Sequence, residues 1–99
     1  MMTNTYYLRD GTPTDVETWR GLQGDASYVQ VEKTTLPNGR WISTIWLGVQ
    51  HESVSDPGGL ELFESVVFDV DTQQPLVSVG HATEEQAHAA HQRLVKEWA

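Results

Sequence analysis

The sequence predicts an α+β fold, an antiparallel sheet with helices packed on it, and three patterns support this. Two apolar segments with a period of two flank Pro37-Asn38-Gly39, a turn sequence typical of a β-hairpin. Two more strand-like segments follow, and the C-terminal part has apolar residues at helical spacing. The chain has 99 residues, close to the usual size of one domain. We therefore expect a single α+β domain over residues 1–99.

The N-terminal part is expected to hold a short strand and a short helix. Tyr6–Arg9 has strand character, and an Asp-Gly pair ends it. Thr14–Glu17 fits a capping box, in which the threonine hydroxyl caps the helix and the glutamate reaches back to it. Gly21 and Gly24 are expected to end this helix.

A central hairpin is predicted from Tyr28–Leu36 and Arg40–Gln50. The turn between them suits a type I turn followed by Gly39 in the left-handed conformation. This turn geometry sets Val31 opposite Ile45 on one face of the sheet. The second strand is apolar on both faces, which is typical of a strand in the middle of a sheet.

Two further strands and a longer helix are predicted after a loop over His51–Gly59. The strands are Leu60–Val70 and Leu76–Gly80, and together with the hairpin they are expected to form a four-stranded meander. Thr83 begins a second capping-box sequence, and the helix that follows is expected to run to about residue 98. Its apolar stripe consists of Ala87, Ala90, His91, Leu94, Val95 and Trp98.

Composition limits the functional classes. Six Lys and Arg residues against fourteen Asp and Glu residues give a net charge of −8. Binding of a nucleic-acid backbone needs clustered cations, so no direct nucleic-acid partner is expected. An acidic surface suits a partner protein with a basic surface, although acidity also simply keeps a small protein in solution. The absence of Cys excludes disulfides and zinc–thiolate sites, and no cofactor is expected.

Targeting signals are not expected either. The N-terminal residues lack a basic region followed by an apolar stretch, as a signal peptide would have. No segment approaches the roughly 18 apolar residues that a membrane span needs. The sequence therefore predicts a cytoplasmic protein.

Three ordered motifs carry a family resemblance. They are STIWLGVQH over residues 43–51, LFESVVF over residues 62–68, and TEEQA from Thr83 ahead of His91. Together they resemble a family of small tailed-phage and prophage proteins with STVWLGLDH-like, LFETMVF-like and T-x-x-E-A-x-x-G-H-like motifs. The chain departs from that pattern at Gln50, where the family has Asp, and at Ala90, where it has Gly. The resemblance implies a phage or mobile-element origin, hence a host-cell cytoplasm, and no catalytic role.

A polar cluster is predicted from His51, Glu64 and His91, which fall within those motifs. Glu64 alternates with Leu62 and Val66, so we expect it on an apolar face, where a carboxylate needs a hydrogen-bond partner. His91 lies in the apolar stripe of the last helix and could supply that partner. The contact would either fix the helix on the sheet or form a ligand or general-base site. The remaining alternative is that the strand has the opposite facing and Glu64 points to solvent.

A partner-binding surface is predicted from acidic residues at one end of the molecule. It would combine the loop residues Glu52 and Asp56 with Glu84 and Glu85 in the first turn of the last helix. Trp98, at the far end of that helix, is expected to be exposed and open to a partner as well.

One series of residues in the last helix has a spacing that can suit a metal ion. Glu84, His88 and His91 stand at i, i+4 and i+7, a spacing that can bring imidazoles together around zinc or nickel. Because His91 is expected to face the core and no H-E-x-x-H pattern is present, no metal site is predicted.

Three functional hypotheses follow. The first is a small acidic phage accessory protein that binds a host protein, for example as an inhibitor of a host defence system. The second is a small-ligand or nucleotide-sequestering protein that uses Trp or Tyr stacking. The third, an enzyme, is disfavoured, because the sequence has neither a G-x-S-x-G nor a G-x-x-x-x-G-K-[ST] motif. The sequence leaves the oligomeric state open, a homodimer included.

Overall fold

A computed structural model describes residues 6–49 and 61–99. Its elements, in chain order, are β1 (Tyr6–Tyr7), β2 (Pro13–Thr14), α1 (Val16–Gln23), α2 (Ala26–Val29), β3 (Gln30–Thr35), β4 (Trp41–Trp46), β5 (Phe63–Phe68), β6 (Pro75–His81) and α3 (Glu84–Trp98). Strands β3 to β6 form an antiparallel sheet in sequence order, and β1 pairs with β2 in a separate small sheet. The predicted α+β class, the meander and the C-terminal helix are confirmed.

The N-terminal helix begins at a different cap from the predicted one. Thr14 lies in β2, and Asp15 caps α1 by accepting a hydrogen bond from the Thr18 amide at 2.7 Å. Asp is at least as good a cap as Thr, because its charge also favours the helix N-terminus. Gly21 lies inside α1, and Gly24 follows its last turn.

A second short helix stands where the sequence predicted the start of a strand. Asp25 caps α2 by accepting a hydrogen bond from the Ser27 amide at 3.1 Å. Helix α2 therefore takes up Tyr28 and Val29, and the strand begins at Gln30.

The β3–β4 turn has the predicted form, but the register of the hairpin does not follow from it. The Leu36 amide donates to the Arg40 carbonyl at 2.7 Å, and Gly39 has a φ of +91°. Farther along, a β-bulge interrupts the pairing beyond Glu32. The predicted Val31–Ile45 pair is wrong, because the bulge takes Val31 out of the ladder.

Gln30 accounts for this bulge. Ile45 pairs with Gln30 itself. The side-chain Nε2 of Gln30 donates to the Glu32 carbonyl at 2.9 Å and to the Thr44 carbonyl at 3.1 Å. A side-chain amide thus takes the place of regular ladder bonds. Val31 packs instead into the core with Trp46.

Helix α3 covers one face of the sheet, which we call the inner face. The central strands alternate strictly in burial, and their inward residues are Ile42, Thr44 and Trp46 on β4 and Phe63, Ser65 and Val67 on β5. The α3 residues Ala87, Ala90, His91 and Leu94 are buried, as the predicted apolar stripe requires. The opposite, outer face carries Trp41, Ser43 and Ile45 on β4 and Glu64, Val66 and Phe68 on β5.

Substitution of Gly39 tests the turn. A Cβ at this position would lie 2.6 Å from Val70 Cγ2, and the backbone of the substituted residue would have to keep the positive φ. We expect Gly39→Ala to lower the free energy of unfolding by about 2–3 kcal/mol, from left-handed strain plus the clash. Gly11→Ala is the matched control, because Gly11 has a φ of +89° with no atom within 4 Å of a Cβ. Urea denaturation should show the larger loss for Gly39→Ala, and equal losses would contradict the close approach to Val70.

Candidate functional site

Two hydroxyl residues lie at the centre of the inner face. Thr44 on β4 and Ser65 on β5 are cross-strand partners, both are fully buried, and their hydroxyl oxygens are 2.6 Å apart. Helix α3 places His91 directly above them, with Nδ1 at 2.7 Å from the Thr44 hydroxyl. A fully buried imidazole is thereby hydrogen-bonded to strand hydroxyls, and the Glu32 carboxylate lies 3.8 Å from its Nε2.

The hydrogen-bonded chain continues in both directions. At one end His81 Nε2 lies 3.0 Å from the Ser65 hydroxyl, and at the other His91 Nε2 lies 2.8 Å from the Thr34 hydroxyl. We call these five residues, from His81 to Thr34, the buried polar chain. Burial lowers the pKa of both histidines, because a charged imidazole is poorly solvated in the core.

The chemistry open to the buried polar chain is limited by access. A serine beside a histidine is the pairing that nucleophilic catalysis uses, but the Ser65 side chain has no solvent exposure. Among the described residues, every buried side-chain nitrogen or oxygen has a hydrogen-bond partner. This arrangement fits a structural role, in which the chain fixes α3 on the sheet.

The predicted contact between Glu64 and His91 is wrong. Glu64 pairs with Ile45 across the ladder and lies on the outer face, where its carboxylate accepts a hydrogen bond from the Ser78 hydroxyl at 2.9 Å. The alternation on β5 starts from Phe63, which is fully buried. Leu62 precedes the strand and is also buried, so its apolar character indicated the wrong face for Glu64.

An ionic chain runs along the accessible edge of α3. His88 lies between Glu32 Oε1, at 2.9 Å, and Glu84 Oε2, at 3.3 Å. Glu84 also receives two hydrogen bonds from the Arg9 guanidinium, at 2.9 and 2.7 Å. The Glu32 and Glu84 carboxylates raise the pKa of His88, and the Arg9 guanidinium lowers the pKa of Glu84.

A cleft of about 210 Å³ opens beside this ionic chain. It lies between the turn of residues 9–11 and the start of α3, residues 82–85. Three carboxylates belong to its lining, those of Asp10, Glu84 and Glu85, and we call them the acidic rim. Hydrogen bonds from Thr12 lower the pKa of Asp10, so this carboxylate is charged at neutral pH.

Predicted site residues are thus dispersed. Glu84 and Glu85 lie together at the cleft, whereas His91 is in the core and Glu64 is on the outer face. Trp98 lies at the other end of α3, and the prediction that it is exposed is wrong, because its side chain is partly buried against the core. Its carbonyl accepts a hydrogen bond from the Asn38 side-chain amide at 2.9 Å. The predicted residues His51, Glu52 and Asp56 lie outside the described residues.

Sequence reasoning missed four residues of the buried polar chain and two of the ionic chain, namely Thr34, Thr44, Ser65 and His81, and Arg9 and Glu32. A signal for Thr44 and Ser65 was present, because each occupies an inward position between apolar neighbours on a central strand. Arg9 had no local signal, since its partner Glu84 is 75 positions away in the sequence.

The described residues form no metal site and no membrane-spanning helix. Within residues 6–49 and 61–99, no three His, Asp or Glu side chains are grouped so that they could hold a metal ion. In the series Glu84, His88 and His91, whose spacing can suit a metal, His91 points to the core and His88 lies between two carboxylates. No helix of the described part is long and apolar enough to cross a membrane.

Comparison with known proteins gives no match. No protein-family model, no curated protein and no solved structure is significantly similar to this chain. The resemblance to tailed-phage proteins stays a prediction based on the three motifs.

Removal of the Thr44 hydroxyl tests the buried polar chain. Thr44→Val keeps the side-chain shape but leaves His91 Nδ1 without a partner and takes one bond from Ser65. We expect the free energy of unfolding to fall by about 1–3 kcal/mol for the unpaired buried group. Thr35→Val, at an exposed position on β3, is the matched control and should cost less than about 0.5 kcal/mol. Equal urea denaturation midpoints for the two variants would contradict a stabilising chain.

The raised pKa of His88 predicts a pH-dependent contribution to stability. A histidine whose pKa is raised on folding stabilises the protein fully below its unfolded pKa, about 6.5. That stabilisation is lost as the pH rises through the folded value. We therefore expect His88→Gln to be more destabilising at about pH 5.5 than at about pH 9, as measured by urea denaturation.

Gln92→Ala is the control for this pH dependence. Gln92 donates the other hydrogen bond to Glu32, at 2.6 Å, but does not titrate. Gln92→Ala should lower the free energy of unfolding by a similar amount at both pH values. If His88→Gln also behaves in this way, the ion pairs of His88 make no contribution in solution.

Proposed function

We propose that this chain is a small acidic binding protein, of the phage or prophage accessory kind that its motifs resemble. Its partner is a host protein with a basic surface, which it engages without chemistry of its own. The observation that carries the proposal is the cleft at the start of α3, where Asp10, Glu84 and Glu85 meet.

The charges of the cleft support a cationic ligand group. Arg9 is its one basic lining residue among those described, and the Arg9 Nε and Nη2 atoms both donate hydrogen bonds to the Glu84 carboxylate. Asp10 and Glu85 are exposed and left to interact with an incoming Lys or Arg side chain. A volume of about 210 Å³ is large enough for such a side chain but small for a nucleotide.

Carboxylates also cap the two N-terminal helices. Asp15 and Asp25 cap α1 and α2, and hydrogen bonds lower the pKa of each carboxyl group. Helix α2 lies close to the cleft, because Arg9 Nη1 donates to the Tyr28 carbonyl at 3.1 Å. Basic surfaces of the complementary kind are common on nucleic-acid-binding proteins, including defence nucleases, so inhibition of such a system is the use we propose.

The small-ligand hypothesis receives less support. It requires a pocket that offers Trp or Tyr for stacking with a histidine nearby. The described lining of the cleft contains none of these residue types, and Trp46 and His91 are fully buried.

A partner screen with charge variants tests the proposal. The protein is immobilised, proteins from a bacterial host lysate are captured at about 50 mM salt, and the purified partner is then measured by interferometry. We expect the association rate to fall between about 50 and 300 mM salt, because salt screens the encounter of opposite charges. The double variant Asp10→Asn/Glu85→Gln should slow association at low salt by about tenfold.

The matched control removes two charges elsewhere. Asp71→Asn/Glu97→Gln changes the net charge equally, at two exposed positions outside the cleft lining. An equal effect of both double variants would show that net charge and not the acidic rim guides binding. Tight binding of duplex DNA, or a partner affinity that is indifferent to salt, would contradict the proposal.

A further inference from the structure

The outer face of the main sheet is apolar at its centre. Trp41 on β4 and Phe68 on β5 are cross-strand partners whose rings stack with centroids 4.0 Å apart. Ile45 and Val66 lie on the same face, and Leu76 on the neighbouring strand is 45% exposed. All three helices pack on the inner side or at the end of the sheet. No described element covers this face.

Charged groups of opposite sign flank this apolar centre. Lys33 on β3, an edge strand, places its ammonium group 4.8 Å from the centre of the Trp41 ring. On the other side Glu64 is held by the Ser78 hydroxyl of β6, the opposite edge strand. The Glu61 carboxylate lies over Gly80, the cross-strand partner of Glu64. The face therefore runs from a cation through apolar side chains to two carboxylates.

The sheet register makes this arrangement self-complementary. Lys33, Ser43, Val66 and Ser78 form one continuous row across the four strands. A two-fold axis parallel to the strands would place β3 of one copy over β6 of the other, and β4 over β5. The backbone of Lys33 then comes over Ser78 of the second copy. To reach the Glu64 carboxylate that Ser78 holds, the Lys33 side chain has to turn away from its own Trp41 ring. The same operation brings the two Trp41–Phe68 stacks together.

We propose that this face binds a second copy of the chain, giving a face-to-face sheet dimer with two symmetric Lys33–Glu64 ion pairs. Sheets that pack face to face cross at about 30°, a rotation that the long Lys33 side chain can follow. Isologous contacts of this kind repeat every interaction twice.

The face is small for a protein–protein interface. Four strands at about 4.8 Å spacing and six residues at about 3.3 Å rise give a footprint of roughly 400 Å² per copy. A standard stable interface buries about 800 Å² per partner. The dimer should therefore be weak and depend on concentration.

Analytical ultracentrifugation of charge-swap variants tests the proposal. For the wild type, the weight-average mass should rise above 11.1 kDa as the concentration increases from about 10 µM to 1 mM. Lys33→Glu or Glu64→Lys alone places like charges together at two symmetric points, and each should raise the dissociation constant at least about tenfold. The double variant Lys33→Glu/Glu64→Lys restores opposite charges across the interface and should return the dissociation constant to within about threefold of wild type.

Three further variants serve as controls. Lys96→Glu and Glu97→Lys make the same charge changes on α3, which lies on the opposite side of the sheet from the proposed interface. These two variants should leave the dissociation constant unchanged. Ser78→Ala removes the hydrogen bond to Glu64 without a charge change, and should weaken the dimer less than Glu64→Lys does. Thermal melts followed by circular dichroism establish that every variant is folded.

Three results would overturn the proposal. One is a wild-type mass that stays at 11.1 kDa up to about 1 mM. Another is a dimer that resists both single charge reversals, which would place the contact on a different surface. The third is a double variant that remains as weak as the single ones, since the two charges would then not face each other.

Discussion

The position of α3 on the sheet depends on one buried contact, that of the His91 imidazole with the Thr44 hydroxyl. A fully buried polar group is tolerated when its hydrogen bonds are made, and is costly when they are not. Ala87 and Leu94, the apolar neighbours of His91 on α3, gain burial in many similar positions along the sheet. His91 gains its two hydrogen bonds only where Thr44 and Thr34 lie beneath it. Apolar burial supplies the attraction between helix and sheet, and the imidazole selects one alignment.

That alignment determines what the surface presents. With His91 held above β3 and β4, the first turn of α3 lies beside the β1–β2 turn, and Glu84 meets Arg9. The cleft and its acidic rim are a consequence of this placement, because Asp10 is brought to Glu85 by the same contact. A polar contact in the core thus sets the geometry of a charged surface that is distant in the sequence.

The element pattern was largely predictable from the sequence, whereas the side-chain partners were not. Strand periodicity, the turn around Gly39 and the Thr83 cap are local signals, and each is found in the structure. The errors came from choices that local signals leave open. Asp15 replaced the neighbouring Thr14 as the helix cap, and the side chain of Gln30 produced a bulge. Periodicity shows that the residues of β5 alternate, but it does not show which set faces inward. The cleft could not be foreseen, because Arg9 and Glu84 are joined by tertiary structure alone.

The distribution of polar chemistry is the physical basis on which we propose binding and not catalysis. A reacting group must meet its substrate, so it has to be accessible as well as correctly paired. In the described part of this chain, the serine, threonine and histidine side chains with the most suitable mutual geometry are enclosed between helix and sheet. The described surface carries groups suited to binding. Carboxylates surround a cleft at one end, and stacked aromatic rings with charged neighbours lie on the outer face. Charge and apolar area of this type provide encounter and affinity. The two surfaces lie on different sides of the fold, so a partner protein and a second copy of the chain need not compete for the same residues.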